Sequence, residues 1–70
     1  MIYINAVKTV WEYSDISYEQ AVELAGKDPT KQFTLQYSYR NNRGGGTLIF
    51  GEMTEVEDKM SIDVTRTDNA

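Results

Sequence analysis

The sequence predicts an α+β fold: one helix packed on one face of a mixed four- to five-stranded sheet. Three observations carry this. A capped amphipathic segment centred on residues 17–25 reads as one helix, alternating residues at 33–39 and 60–65 read as half-buried strands, and a short alternating run at 2–4 reads as a first strand. The chain has 70 residues, enough for one domain and no more. A domain of that size buries only roughly 60% of the surface its unfolded chain exposes, so its core is thin.

In chain order, Ile2 and Ile4 fall on one side of the first strand and Tyr3 on the other. Asn5-Ala6 reads as a turn, because Asn tolerates left-handed backbone angles, and residues 7–11 return as the second strand of a hairpin. Trp11 is placed at the sheet edge or under the loop before the helix. Ser17-Tyr18-Glu19-Gln20 then forms a capping box, in which the Ser17 hydroxyl accepts the Gln20 N–H and the Gln20 side chain reaches back. Ile16, just before the cap, is set to staple against Ala21. Tyr18, Ala21, Val22 and Ala25 make one apolar stripe that Leu24 widens, with Glu19, Gln20 and Glu23 in water. Gly26 supplies a left-handed stop and Pro29 keeps the helix from resuming, which gives a helix of about nine residues.

Phe33, Leu35, Tyr37 and Tyr39 alternate with Thr34, Gln36 and Ser38, so this strand turns its aromatic side inward with hydroxyls at the rim. The run Asn41-Asn42-Arg43-Gly44-Gly45-Gly46 reads as a hairpin turn, and residues 47–50 as a short strand stopped by Gly51. In the last strand Met60, Ile62 and Val64 point inward, and Ser61, Asp63 and Thr65 outward. Beyond Arg66 nothing remains to bury, so the expected division is a domain at 1–66 and a flexible tail at 67–70. The order is hairpin, helix, strand, strand, strand. With the first strand central, the last lies parallel beside it, and the hairpin and helix form the crossover that a parallel pair needs. That arrangement is the β-grasp, in which the tail leaves from a central strand.

Composition narrows the function. There is no Cys and no His, which removes disulfides, Cys/His zinc sites, the commonest general base and the commonest nucleophile. A carboxylate pair or a Ser-Lys arrangement is what the residue types leave, and no spacing sets either in a cleft. The reading is therefore a non-enzyme with no catalytic residue, cofactor or metal. The Gly44-Gly45-Gly46 run is followed by neither a helix nor Lys-Ser/Thr, so it is not a phosphate loop. A net charge of −4 argues against nucleic acid, and the basic residues Lys27, Lys31, Arg40 and Arg43 read as a solvated edge. Glu52, Glu55, Glu57 and Asp58 read as a hydrated loop. Apolar runs such as 48–50 are too short for a membrane span and the start lacks a signal peptide, so the expected location is the cytoplasm.

Ile2-Tyr3-Ile4-Asn5 followed by Ile16-Ser17-Tyr18-Glu19-Gln20-Ala21-Val22-Glu23-Leu24-Ala25-Gly26 resembles the opening half of the bacterial multiubiquitin family. Phe33-Thr34-Leu35-Gln36-Tyr37, then Leu48, Gly51, Val56 and Met60, and the closing Val64-Thr65-Arg66-Thr67-Asp68 resemble its second half. The resemblance implies a ubiquitin-like β-grasp protein of bacteria. Such proteins are encoded beside an activating enzyme, a conjugating enzyme and a processing peptidase, and several are linked to antiphage defence. It also implies that the domain is a tag. Its tail, Thr67, Asp68, Asn69 and Ala70, would be activated by adenylation at the carboxylate and passed to target proteins.

The chain departs from the familiar pattern in two ways. Its tail ends in Asn69-Ala70 rather than Gly-Gly, and it carries one copy where the family is named for tandem copies. The outward positions Thr34, Gln36, Ser38, Ser61 and Asp63 are polar, so the apolar patch by which ubiquitin is read is not reproduced. Tyr3, Phe50 and Arg66 are then the expected partner-binding residues, with contacts made mainly by the tail and the charged positions near it. Lys8, Lys27, Lys31 and Lys59 are candidate chain-building sites. The alternative is a β-grasp adaptor that binds partners without being joined to them.

Overall fold

The structure, a computed structural model, describes residues 1–40 and 44–67. The loop residues Asn41, Asn42 and Arg43 and the tail residues Asp68, Asn69 and Ala70 lie outside the described residues. The elements are β1 (Ile2–Ile4), β2 (Val7–Thr9), β3 (Asp15–Ser17), α1 (Tyr18–Leu24), β4 (Phe33–Ser38), β5 (Gly45–Leu48), β6 (Met53–Glu55) and β7 (Ser61–Arg66). Five strands form one mixed sheet in the order β2-β1-β7-β4-β5, and β3 and β6 form a separate two-stranded sheet. β1 and β7 are parallel, and β7 is antiparallel to β4 on its other side. This is the expected β-grasp order, with the last strand in the middle.

The hairpin that opens the fold turns on two residues in left-handed conformation, Asn5 (φ 50°) and Ala6 (φ 67°). Two positive φ values in a two-residue loop twist the strands in the favoured sense. Asn5 has a second task. Its Oδ1 accepts the Val64 N–H at 2.7 Å, tying the turn to the central strand. β2 ends at Thr9, earlier than the expected residue 11. Trp11 leaves the strand so that its Nε1 can donate to the Asp15 carbonyl at 3.0 Å, and its ring meets Tyr13 edge-on.

α1 begins with the capping box foreseen in the sequence: the Gln20 N–H donates to Ser17 Oγ at 3.1 Å and the Ser17 N–H to Gln20 Oε1 at 2.9 Å. Ile16 and Ala21, the expected staple pair, are both fully buried. The helix is seven residues long, shorter than expected, because Gly26 turns left-handed (φ 74°) directly after the Ala25 cap. The Gly26 N–H reaches Glu23 O and the Lys27 N–H reaches Val22 O, a Schellman ending that satisfies the last carbonyls.

β5 starts at Gly45, inside the stretch that reads as a turn. The reason is crowding across the strand pair. A Cβ at Gly45 would collide with the Tyr37 carbonyl, and one at Gly46 would lie 3.1 Å from the Tyr37 hydroxyl. Glycine is what allows β5 to pair beneath the Tyr37 ring. β5 also stops earlier than expected, at Leu48. Ile49 and Phe50 enter a turn closed by the Glu52 N–H to Ile49 O bond (2.9 Å), with Gly51 at φ 85°.

The core is Ile2, Ile4, Ile16, Tyr18, Ala21, Val22, Leu35, Leu48, Met60, Ile62 and Val64, and no polar or charged residue is buried among the described residues. Every strand of the main sheet except β2 contributes to it. Tyr39 extends it: its hydroxyl donates to Glu55 O at 2.9 Å and so ties the region after β4 to the small sheet. Among the described residues no helix is long and apolar enough to cross a membrane.

Candidate functional site

β7 carries the chain out of the sheet between β1 and β4. Alternation along it sorts the last residues by face. Thr65 pairs with Thr34 on the open face, and Arg66 pairs with Phe33 on the helix face. Thr67, placed by the sequence in a flexible tail, is bonded to the sheet. Its N–H donates to Gln32 O at 3.2 Å, and its hydroxyl lies 2.9 Å from that of Thr34. Thr65 Oγ1 donates to Thr34 O at 3.1 Å, so three threonines close round the root of the tail. The tail residues Asp68, Asn69 and Ala70 lie outside the described residues.

The three expected partner-binding residues sit in three places. Tyr3 is on the open face, beside Ser61 on β7 and Lys8 on β2. Phe50 is 72% exposed on the β5–β6 turn, with its ring edge-on to Tyr18 at 5.7 Å. That turn is tied to the first turn of α1 by the Gly51 N–H to Glu19 Oε1 bond and the Tyr18 N–H to Glu52 O bond. Arg66 lies past the opposite end of α1. They do not form one surface.

Arg66 instead meets residues that the sequence reading left on a solvated edge. Together with Asn5, Gly26, Lys27, Asp28, Lys31, Phe33 and Val64 it lines a cleft of about 510 Å³ beside the tail root. Local chemistry explains how Lys27 and Lys31 arrive there. Asp28-Pro29-Thr30-Lys31 is a turn closed by the Lys31 N–H to Asp28 O bond (3.1 Å), which folds the chain back after the helix cap. Asp28 Oδ1 accepts both the Thr30 hydroxyl (2.7 Å) and the Thr30 N–H (2.9 Å), and these bonds, the hydroxyl first, hold its carboxyl below the usual range. Arg40 does not join this group. The signal in the sequence was the Asp-Pro-Thr turn, read only as a helix stop.

Of the expected carboxylate loop, Glu55 instead ends β6, while Glu52, Glu57 and Asp58 lie outside helix and strand. Glu52 Oε1 accepts the Ile49 N–H at 3.0 Å, and Asp58, fully at the surface, pairs with the Met1 ammonium at 3.0 Å. That ammonium, chiefly through its hydrogen bond, holds the Asp58 carboxyl below the usual range. The cleft has one carboxylate among its lining residues, so what it offers is contact: three cations around an apolar wall.

The family model for multiubiquitin matches residues 1–68. The chain belongs to the multiubiquitin family. The match runs through the capping box, the central strand and Thr67, and leaves out only Asn69 and Ala70. Comparisons with curated proteins and with solved structures gave no match. The sequence resemblance and the strand order thus agree on a multiubiquitin-family, ubiquitin-like β-grasp domain.

Proposed function

We propose that this multiubiquitin-family domain is a covalent protein modifier of the bacterial cytoplasm, serving antiphage defence. A processing peptidase would expose the tail carboxylate, and an activating enzyme would join it to AMP from ATP, releasing pyrophosphate. A conjugating enzyme would then pass the acyl group to an amine of a target protein, with AMP leaving. The domain's own part is to be held and to present its tail.

The observation that carries this reading is the position of β7. A central strand, bonded on both sides, delivers the chain to the sheet's end at a fixed point, so an enzyme gripping the domain finds the tail in a constant place. The test is incubation with the activating and conjugating enzymes and ATP, read by intact mass. An adduct on a second protein that disappears when residues 67–70 are deleted supports the modifier. Binding of the same enzymes without any adduct supports the adaptor alternative. Tyr3→Ala and Arg66→Ala, measured separately, assign the gripping face. Loss of affinity with the second alone points to the cleft side, and unchanged affinity in both overturns the expected surface.

A further inference from the structure

The cleft beyond α1 reverses the sign of its surroundings. The chain carries a net charge of −4, yet the cleft sets Lys27, Lys31 and Arg66 against the single acid Asp28. Asp28 Oδ1 accepts two bonds from Thr30, and Lys31 nearby also holds the Asp28 carboxyl down, so the cleft keeps an excess of two positive charges. None of the three cations forms a salt bridge with a described residue. At the nearby helix end the carbonyls of Ala21, Val22 and Glu23 accept N–H groups from Ala25, Lys27 and Gly26.

The cleft walls are held in place. Phe33, half-buried, is clamped to the buried helix residue Tyr18 by its N–H to the Tyr18 hydroxyl at 2.8 Å. Asn5 fixes Val64, and Thr67 fixes Gln32. A wall held by such bonds loses little entropy when a ligand docks. The volume falls within the range of about 300–1,000 Å³ usual for small binding pockets.

We propose that this cleft docks an acidic peptide segment of a partner protein, with one apolar side chain seated on the half-buried Phe33 and its carboxylates on Lys27, Lys31 and Arg66. The site serves whether or not the tail is ever joined to a target. Charge complementarity favours a peptide over nucleic acid. A phosphate backbone needs an extended basic track, and outside this cleft the excess charge of the chain is negative.

The probe is a fluorescein-labelled peptide with one leucine flanked on both sides by aspartates, titrated into the full chain and followed by anisotropy and amide chemical shifts. Shifts confined to Asn5 and residues 26–33 and 64–66 are expected. Lys27→Glu with Lys31→Glu is expected to weaken binding about tenfold or more, as loss of charge-assisted hydrogen bonds does. Lys8→Glu with Lys59→Glu makes the same change of net charge elsewhere and is expected to stay within about twofold. Equal losses in the two double variants overturn the proposal, since general electrostatics would then explain them. So does equal binding by a peptide whose leucine is replaced by aspartate, or displacement by inorganic phosphate at the peptide's own concentration. No binding at all does the same.

Discussion

At the residue scale, several positions carry two tasks at once. Ala6 sits at φ 67° in the first turn, where a Cβ is strained, beside Asn5, which tolerates the same region. Ala6→Gly is expected to stabilise the domain by about 0.5–1 kcal/mol, since glycine pays no steric cost there. Urea midpoints check it, and a lower midpoint in the variant would sink the strain argument. Thr34→Val removes the hydroxyl partner of Thr67 and leaves the sheet face otherwise similar in shape. One hydrogen bond is worth about 1 kcal/mol, so the tail root is expected to open up to about fivefold more often. Hydrogen exchange at the Thr67 amide measures that opening. In the modifier reading the same variant forms its adenylate faster, and an unchanged adenylation rate would show that Thr67 need not detach. Asp28 and Asp58 have carboxyls held below their ordinary range when folded. The sign follows: their contribution is present above the unfolded carboxylate value, about pH 4, and is lost as pH falls through the lower folded values. Asp58→Asn should therefore lower stability slightly at neutral pH, leave the most acid end nearly unchanged, and so flatten part of the acid limb of a stability profile.

At the element scale, α1 shows how short-range chemistry stands in for length. Seven residues is well under the length at which an isolated helix is stable in water. The capping box, the buried Ile16–Ala21 pair and the Schellman ending fix both ends, and burial of Tyr18, Ala21 and Val22 does the rest. Ser17→Ala is expected to cost about 1 kcal/mol by loss of the cap. Gly26→Ala has open space around it, so its cost of about 1 kcal/mol comes from the φ of 74° alone. If Gly26→Ala proves neutral in a denaturant series, the left-handed ending is not what stops the helix. The cap, stripe and stop were all legible because each rests on residues within one or two turns of one another. The small β3–β6 sheet was not. Its strands, Asp15-Ile16-Ser17 and Met53-Thr54-Glu55, carry one apolar residue each and so show no apolar alternation, and they pair Ile16 with Thr54 across a long sequence separation.

At the scale of the whole molecule, β7 is the member on which the rest depends. It carries Ile62 and Val64 into the core, and its neighbours are β1 from the start of the chain and β4 from the middle. A chain of this size is stable by roughly 3–10 kcal/mol. Ile62→Ala is expected to cost about 2–5 kcal/mol and to leave the domain partly unfolded at room temperature, whereas Ile62→Val is expected to cost about 0.5–1.5 kcal/mol and remain measurable. Circular dichroism with urea melts distinguishes the two.

The sequence alone determined the hairpin, the capped helix, the inward faces of β4 and β7 and the β-grasp order, because these follow from local periodicity, turn chemistry and a count of elements. Tertiary structure alone decided where the strands stop, that Gly45 and Gly46 belong to a strand beneath Tyr37, and that Thr67 is bonded to Thr34. It also separated Tyr3, Phe50 and Arg66, and drew Lys27 and Lys31 to Arg66 from far along the chain. Those outcomes depend on contacts between residues distant in sequence, which no window along the chain contains.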